Sequence, residues 1–141
     1  MAMLTAEVRA ALEGAHLAHL VTLNSDGSPH VTIVWVGLDG NEVISGHLGS
    51  RKKLRNVERD PRVALSMETG GKNQLGLDQY LVLNGTARVT EGGAVALLQQ
   101  LALTYIGSGV KFPPMEDPPS GFVLRITPTS VGGVGPWAEG A

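Results

Sequence analysis

Hydrophobic positions recur along the chain first at helical and then at strand spacing. Leu4, Val8 and Leu12 stand one helical turn apart, Thr5 is placed to cap, Glu7 falls in the first turn and Gly14 follows as a stop, which predicts a short amphipathic helix. From His16 to Leu23 the pattern changes to alternation, and the turn cluster Asn24 to Pro29 leads into a second alternating run, His30 to Val36, so the two form a hairpin. Asp39-Gly40 signals a tight reversal into Glu42 to Ser45, which makes a three-stranded antiparallel meander. Val63, Leu65 and Met67 alternate after Pro61 as a fourth strand, whereas Thr69 to Gln79, rich in Gly and polar residues, reads as a flexible loop with a ligand-facing or interfacial role. Tyr80 to Thr90 is a long fifth strand, with a bulge or bend expected at Gly85. Val95, Leu98, Ala102 and Tyr105 share one face of a helix from about Ala94 to Ile106, closed by Gly107. Paired prolines at Pro113-Pro114 and Pro118-Pro119 send the following stretch to the surface, and Phe122 to Thr127 returns as a sixth strand. Six short strands with two or three helices predict a small closed or partly closed antiparallel barrel with helices at its ends.

Composition narrows the class. A chain of 141 residues suits one domain spanning 1–141, and 43% hydrophobic with 17% charged residues is the balance of a globular protein. Cysteine is absent, which excludes disulfides and thiolate metal sites and agrees with a cytoplasmic location. Neither a signal-type apolar region at the N-terminus nor a long uninterrupted apolar run is visible, so no membrane association is expected. His16, His19, His30 and His47 do not stand at metal-ligand spacing, and no metal site is expected.

Charge changes the picture more. Six of the eleven Lys and Arg residues lie between Arg51 and Arg62, in a chain whose net charge is -2. Ser50 is placed to cap a helix in which Leu54 and Val57 make the apolar stripe and Asp60-Pro61 the end. Arg51 and Lys53 then fall in the first turn, where unpaired backbone N–H groups and the helix dipole already favour a phosphate. A solvated basic face is the competing reading of the same run. Nucleic acid is disfavoured as a partner, because the helix is short, no stacking aromatics accompany it and the net charge is negative.

The order of elements and the local text resemble the split β-barrel flavin/deazaflavin oxidoreductases, the superfamily of the pyridoxamine 5'-phosphate oxidase-like proteins, over nearly the whole chain. The matching pieces are SPHVTIVWV, the spacing Arg51-x-Lys53-x-x-Asn56, RDPRVALSM, YLVLNGTARV and the ending SGFVLRITPTSVGGVGPW. The resemblance implies a mainly β fold with helices, a split antiparallel six-stranded β-barrel, and a homodimer with a cofactor groove at the subunit interface. It places the cofactor phosphate against Arg51 and Lys53. The ending is more similar to the branch that uses the deazaflavin coenzyme F420, with FMN as the alternative cofactor.

On that resemblance the function is that of an F420-dependent reductase moving hydride between reduced deazaflavin and an unsaturated or quinone-like small organic acceptor. The alternatives are an FMN-binding pyridoxamine phosphate oxidase-like protein, or a flavin or deazaflavin carrier or stress protein without turnover. The Gly-rich end lacks the longer substrate-binding segment of the pyridoxine-oxidising members, which argues against pyridoxamine phosphate as substrate. Ser45, His47 and Ser50 are further cofactor-binding candidates, with a hydrogen-bonded structural role as the competing reading for His47 and helix capping for Ser50. Thr32 and Trp35 lie on a strand that borders the ring in the family, and core packing competes for Trp35. Trp137 sits on a tail with four glycines and little intrinsic order, so its ring needs burial in the cofactor groove or against a partner subunit. No catalytic side chain is singled out, because the cofactor supplies the hydride chemistry and leaves the protein to bind and orient.

Overall fold

In the computed structural model, residues 4–49 and 51–138 are described. The elements are α1 (Ala6–Leu12), β1 (Ala18–Leu23), β2 (Pro29–Val34), β3 (Gly37–Asp39), β4 (Glu42–His47), α2 (Lys52–Arg59), β5 (Arg62–Lys72), β6 (Asp78–Glu91), α3 (Ala94–Tyr105) and β7 (Phe122–Val134). All strands join one antiparallel sheet in the order β2-β1-β5-β6-β7-β4-β3. The sheet rolls around a core that includes Leu12, Leu20, Leu54, Met67, Leu81, Leu83 and Leu124, none of them more than 2% exposed. This is the mainly antiparallel split-barrel architecture expected of the chain.

The barrel is split because the meander expected of His30 to Val36 is broken. β2 ends at Val34 and pairs with β1, the chain turns at Trp35-Val36, and a separate short strand, β3, pairs with β4. The strand count is therefore seven rather than six. The corner is pinned from α3: the Tyr105 hydroxyl donates to the His16 carbonyl at 2.8 Å and accepts from the Val36 amide at 3.1 Å. Carrying the β3–β4 register onward from Gly37↔Ile44 would set Val34 opposite His47, so β2 leaves β4 at that level. A gap opens there between the two strands.

Other expectations meet the structure in the same way. Thr5 caps α1 by accepting from the Val8 amide at 3.3 Å. The predicted bend at Gly85 is present as a register shift in β6–β7, and a Cβ at Gly85 would collide with the Thr127 carbonyl. Thr69 to Gln79 is a correction, for it is not a loop. β5 runs to Lys72, β6 starts at Asp78, and Asn73 staples the turn by accepting from Leu75 and Leu77 at 2.9 and 3.0 Å. Both faces of this arm meet solvent, so no apolar alternation marks it. The Gly-rich tail is also ordered further than expected. β7 continues to Val134 beside β6, and at Gly133, φ +106°, a side chain would strike the Tyr80 carbonyl.

Candidate functional site: a cationic cavity at the split

The gap between β2 and β4 is a cavity of about 320 Å³. Its walls come from the end of β2 (Ile33, Val34, Trp35), the end of β4 (Gly46, His47, Leu48) and the start of α2, with Leu98 of α3 and Phe112 closing one side. Sequence order explains the convergence. β4 ends in the gap, and the short turn after it leads straight into α2, so Arg51 and Lys53 open onto the same space as His47.

The two cations differ in setting. Arg51 occupies the N-cap position of α2 with extended backbone, in place of the expected Ser50, which lies outside the described residues. Arg51 is exposed, whereas Lys53 is 8% exposed. Among the described residues no carboxylate pairs with either side chain. Burial, and next the charge of Arg51, push the Lys53 amine below its ordinary value. Burial also lowers His47 to about 4, with Lys53 and Arg51 adding repulsion, so the imidazole is neutral at pH 7. Its Nε2 lies 2.8 Å from Ser45 Oγ, and Ser45 is itself buried, which fixes the ring in the wall.

Nearby, Thr32 lies on the same face of β2 as Val34, opposite Leu20 of β1. Its Oγ1 is buried without a hydrogen-bond partner among the described residues. A buried hydroxyl left in this state costs about 1–3 kcal/mol unless something bonds it. Trp35 stacks on Tyr105 at 5.2 Å between centroids and 13° between planes, and Phe112 meets its ring at 5.1 Å and 50°. The cavity therefore has a cationic end and an aromatic end. Trp35 packs against Tyr105 and also lines the cavity.

The structure brings Arg51, Lys53, His47 and Trp35 together, with Ser45 held behind His47. It does not bring in Asn56 or Trp137. Asn56 is 2% exposed and turned toward β1, donating to Thr22 Oγ1 at 3.1 Å and Asn24 Oδ1 at 3.0 Å. In the Arg-x-Lys-x-x-Asn spacing it thus seats the helix that carries the cations. Trp137 donates from Nε1 to the Tyr80 carbonyl at 3.1 Å and lies over Gly135, where it packs against the core of its own barrel. Phe112 and Leu98 were missed by sequence reasoning. A single aromatic inside a Pro-rich surface excursion was the one available signal for Phe112.

This site suits a phosphate-bearing flat cofactor by its chemistry. It offers a buried ammonium, without a carboxylate partner among the described residues, beside a guanidinium and an aromatic wall. Among the described residues no three His, Asp or Glu side chains converge as for a metal ion, and no helix is long and apolar enough to cross a membrane.

Comparison with known proteins supports the fold and places the family. An F420 reductase is 26% identical, with a TM-score of 0.69 over 88% of this chain and 94% of that one. A conserved hypothetical protein of Mycobacterium tuberculosis (21% identity, TM-score 0.69, 91% of this chain and 82% of that one) shares the fold. So does a putative pyridoxamine 5'-phosphate oxidase of Listeria innocua (22% identity, TM-score 0.64, 91% and 95%). No curated protein sequence matches the chain. The family model for pyridoxamine 5'-phosphate oxidase matches residues 4–135, a span that holds every strand of the split barrel and every wall of the cavity, and the chain belongs to that family.

Proposed function

We propose that this protein is an oxidoreductase that binds coenzyme F420, in preference to FMN, and passes hydride to an unsaturated or quinone-like small organic acceptor. The observation that carries this reading is Lys53, an ammonium 8% exposed and without a carboxylate partner among the described residues, beside Arg51. A buried unpaired charge is costly, and an anionic ligand removes the cost. Family membership supports a flavin-type cofactor, and similarity to an F420 reductase supports the deazaflavin.

When bound, the cofactor supplies the hydride chemistry. The protein's own residues then bind and orient. Arg51 and Lys53 hold the phosphate through charge-assisted hydrogen bonds. Thr32 Oγ1 offers a hydrogen bond to a polar atom of the cofactor, and Trp35 flanks a flat ring. His47, neutral and fixed by Ser45, presents a polar edge without adding a third charge. A neutral His47 is not a ready proton donor at pH 7, and this favours, as a second reading, a carrier that binds the cofactor without turnover.

The site is completed in this proposal by a second copy of the chain. Val31 and Ile33 on β2 are 57% and 58% exposed, Leu17 is 55% exposed, and the cavity lies at the low end of ligand-pocket volumes. A homodimer covering β2 would bury these side chains and supply the missing wall.

Visible absorbance of the purified protein and fluorescence titration with FMN and with F420 test the cofactor. Tight F420 binding with weak FMN binding is expected; the reverse order moves the protein to the FMN alternative, and binding of neither defeats the proposal. Bound cofactor with no acceptor reduced across a broad quinone and enone panel would establish the carrier. Light scattering at micromolar concentration should give a dimer mass.

A further inference from the structure

The stretch between α3 and β7 is mostly exposed, yet it is tied to the cavity at one place. Gln99 of α3 donates from Nε2 to the Val110 carbonyl at 2.8 Å and accepts the Phe112 amide on Oε1 at 2.9 Å. These two bonds hold the backbone on either side of Lys111, and they set Phe112 against Trp35 in the cavity wall. Trp35 is held in turn by Tyr105, which stacks on it and is itself anchored to the β2–β3 corner. Within this aromatic wall Trp35 is braced by Tyr105, and the Phe112 backbone is held by the Gln99 side chain. The cationic end holds a negative group but does not discriminate among the bodies attached to it.

We propose that Phe112, positioned by Gln99, determines the shape of the molecule accepted here: flat aromatic rings bearing an anionic group enter, and thick saturated rings bearing the same group do not. The inference deepens the cofactor reading above and shares its anion cradle, but it concerns a shape filter that the cofactor's identity does not define. A flat ring meets the aromatic wall face-on or edge-on at van der Waals distance, whereas a puckered ring of similar size must displace Phe112 and its tether. Phe112 is the specificity-determining residue and Gln99 acts through it.

The probes are phenyl phosphate and cyclohexyl phosphate, matched in ring size, with inorganic phosphate as reference, titrated by calorimetry and by Trp35 fluorescence in a Trp137→Phe background. Wild type should bind phenyl phosphate roughly tenfold more tightly than cyclohexyl phosphate, in line with aromatic contacts worth several-fold each. Phe112→Ala should bring that ratio close to one, and Phe112→Leu, which keeps an apolar side chain in the wall, to an intermediate value. Gln99→Leu should lower the ratio with Phe112 still present. Arg51→Ala should weaken both phosphates alike and leave the ratio intact, a separation that general loosening of the fold would not produce. Should Phe112→Ala fail to fold, Phe112→Leu decides. An unchanged ratio in Phe112→Leu and Phe112→Ala, or equal binding of the two phosphates by wild type, overturns the shape filter. Failure of FMN and F420 to bind while the ratio behaves as described defeats the cofactor reading alone.

Discussion

Arg88 and Arg125 on one side of the barrel, and Arg51 and Lys53 on another, are two pairs of cations that the same fold treats in opposite ways. Arg88 grips Glu42 with two bonds at 3.1 Å, while Arg125 donates to Asp39 at 2.8 Å, to Glu42 at 3.3 Å and to Thr90 at 3.2 Å. The bonds to Asp39 and Glu42 cross from β6 and β7 to β3 and β4, and the bond to Thr90 joins β7 to β6, so the charges are consumed in holding the sheet together. Arg51 and Lys53 have no carboxylate partner among the described residues, and Lys53 is the most buried of the four. A satisfied network stabilises the empty protein, whereas an unsatisfied one stores a cost that a ligand relieves. The contrast separates a structural use of charge from a binding use.

The largest effect that would sharpen this contrast is the response of the unpaired cluster to acid. His47 titrates at about 4 in the folded protein against 6.5 for the free side chain, so between these values the unfolded chain holds more protons. Stability therefore rises as pH is raised through that window, by about 3 kcal/mol in all, and falls again on acidification. The groups facing the imidazole are Arg51 and Lys53 from the α2 end and Ser45 from β4, with only apolar side chains from β2, α3 and the Phe112 loop. His47→Gln should flatten the wild-type slope between pH 4.5 and 6.5 in chemical denaturation. Identical slopes in the two proteins would remove the strained-site description.

Next come the cations themselves. Lys53→Met, which keeps the buried stem, and Arg51→Ala should each weaken binding of a phosphate-bearing cofactor by roughly tenfold to a hundredfold, equivalent to about 1.5–3 kcal/mol. Melting of the empty protein should stay level or rise, because repulsion within the cluster is relieved. A loss of stability without loss of affinity would place these residues with the paired network instead.

Arg125→Met probes the other side of the comparison and should behave in reverse. Removing its partly exposed ion pairs should lower stability by about 1 kcal/mol, read by thermal or urea unfolding, with cofactor affinity unchanged. Reduced affinity in this variant would show that the two clusters are coupled through β4.

The smallest effect is expected at Lys52, which is exposed and lines a separate surface depression with Asp26 and Arg59 rather than the cavity. Lys52→Ala should change both affinity and stability by no more than a few tenths of a kcal/mol. A tenfold loss of affinity there would extend the anion cradle around the helix.

Residues that act through neighbours in sequence are legible in the chain itself. The spacing of Leu54 and Val57 against Arg51 and Lys53 marks a helix that buries one stripe, and the clustering of cations on it is a local property of the chain. The bulge at Gly85, the α1 cap at Thr5 and the span of α3 are legible for the same reason, since each depends on backbone preferences within a few residues. Partners are not legible. Asn56 reads as a third member of a phosphate motif, yet its direction on the helix sends it to Thr22 and Asn24. Trp137 reads as a ring in search of burial, and it finds the Tyr80 carbonyl and the core edge because β7 runs on to Val134.

Where β2 leaves β4, apolar residues run without interruption from Ile33 through Val36, so no polar or turn residue announces the corner. Tyr105, far along the chain, makes the hydrogen bonds that hold it. Phe112 depends in the same way on Gln99, and Lys53 becomes a buried charge only once α2 has packed into the fold. The sequence by itself determined the elements, because helix and strand periodicity follow from side-chain direction along a few residues. Tertiary structure alone decided which cations stay unpaired and which aromatic ring faces them, because desolvation and long-range contact exist only after distant segments have been packed together.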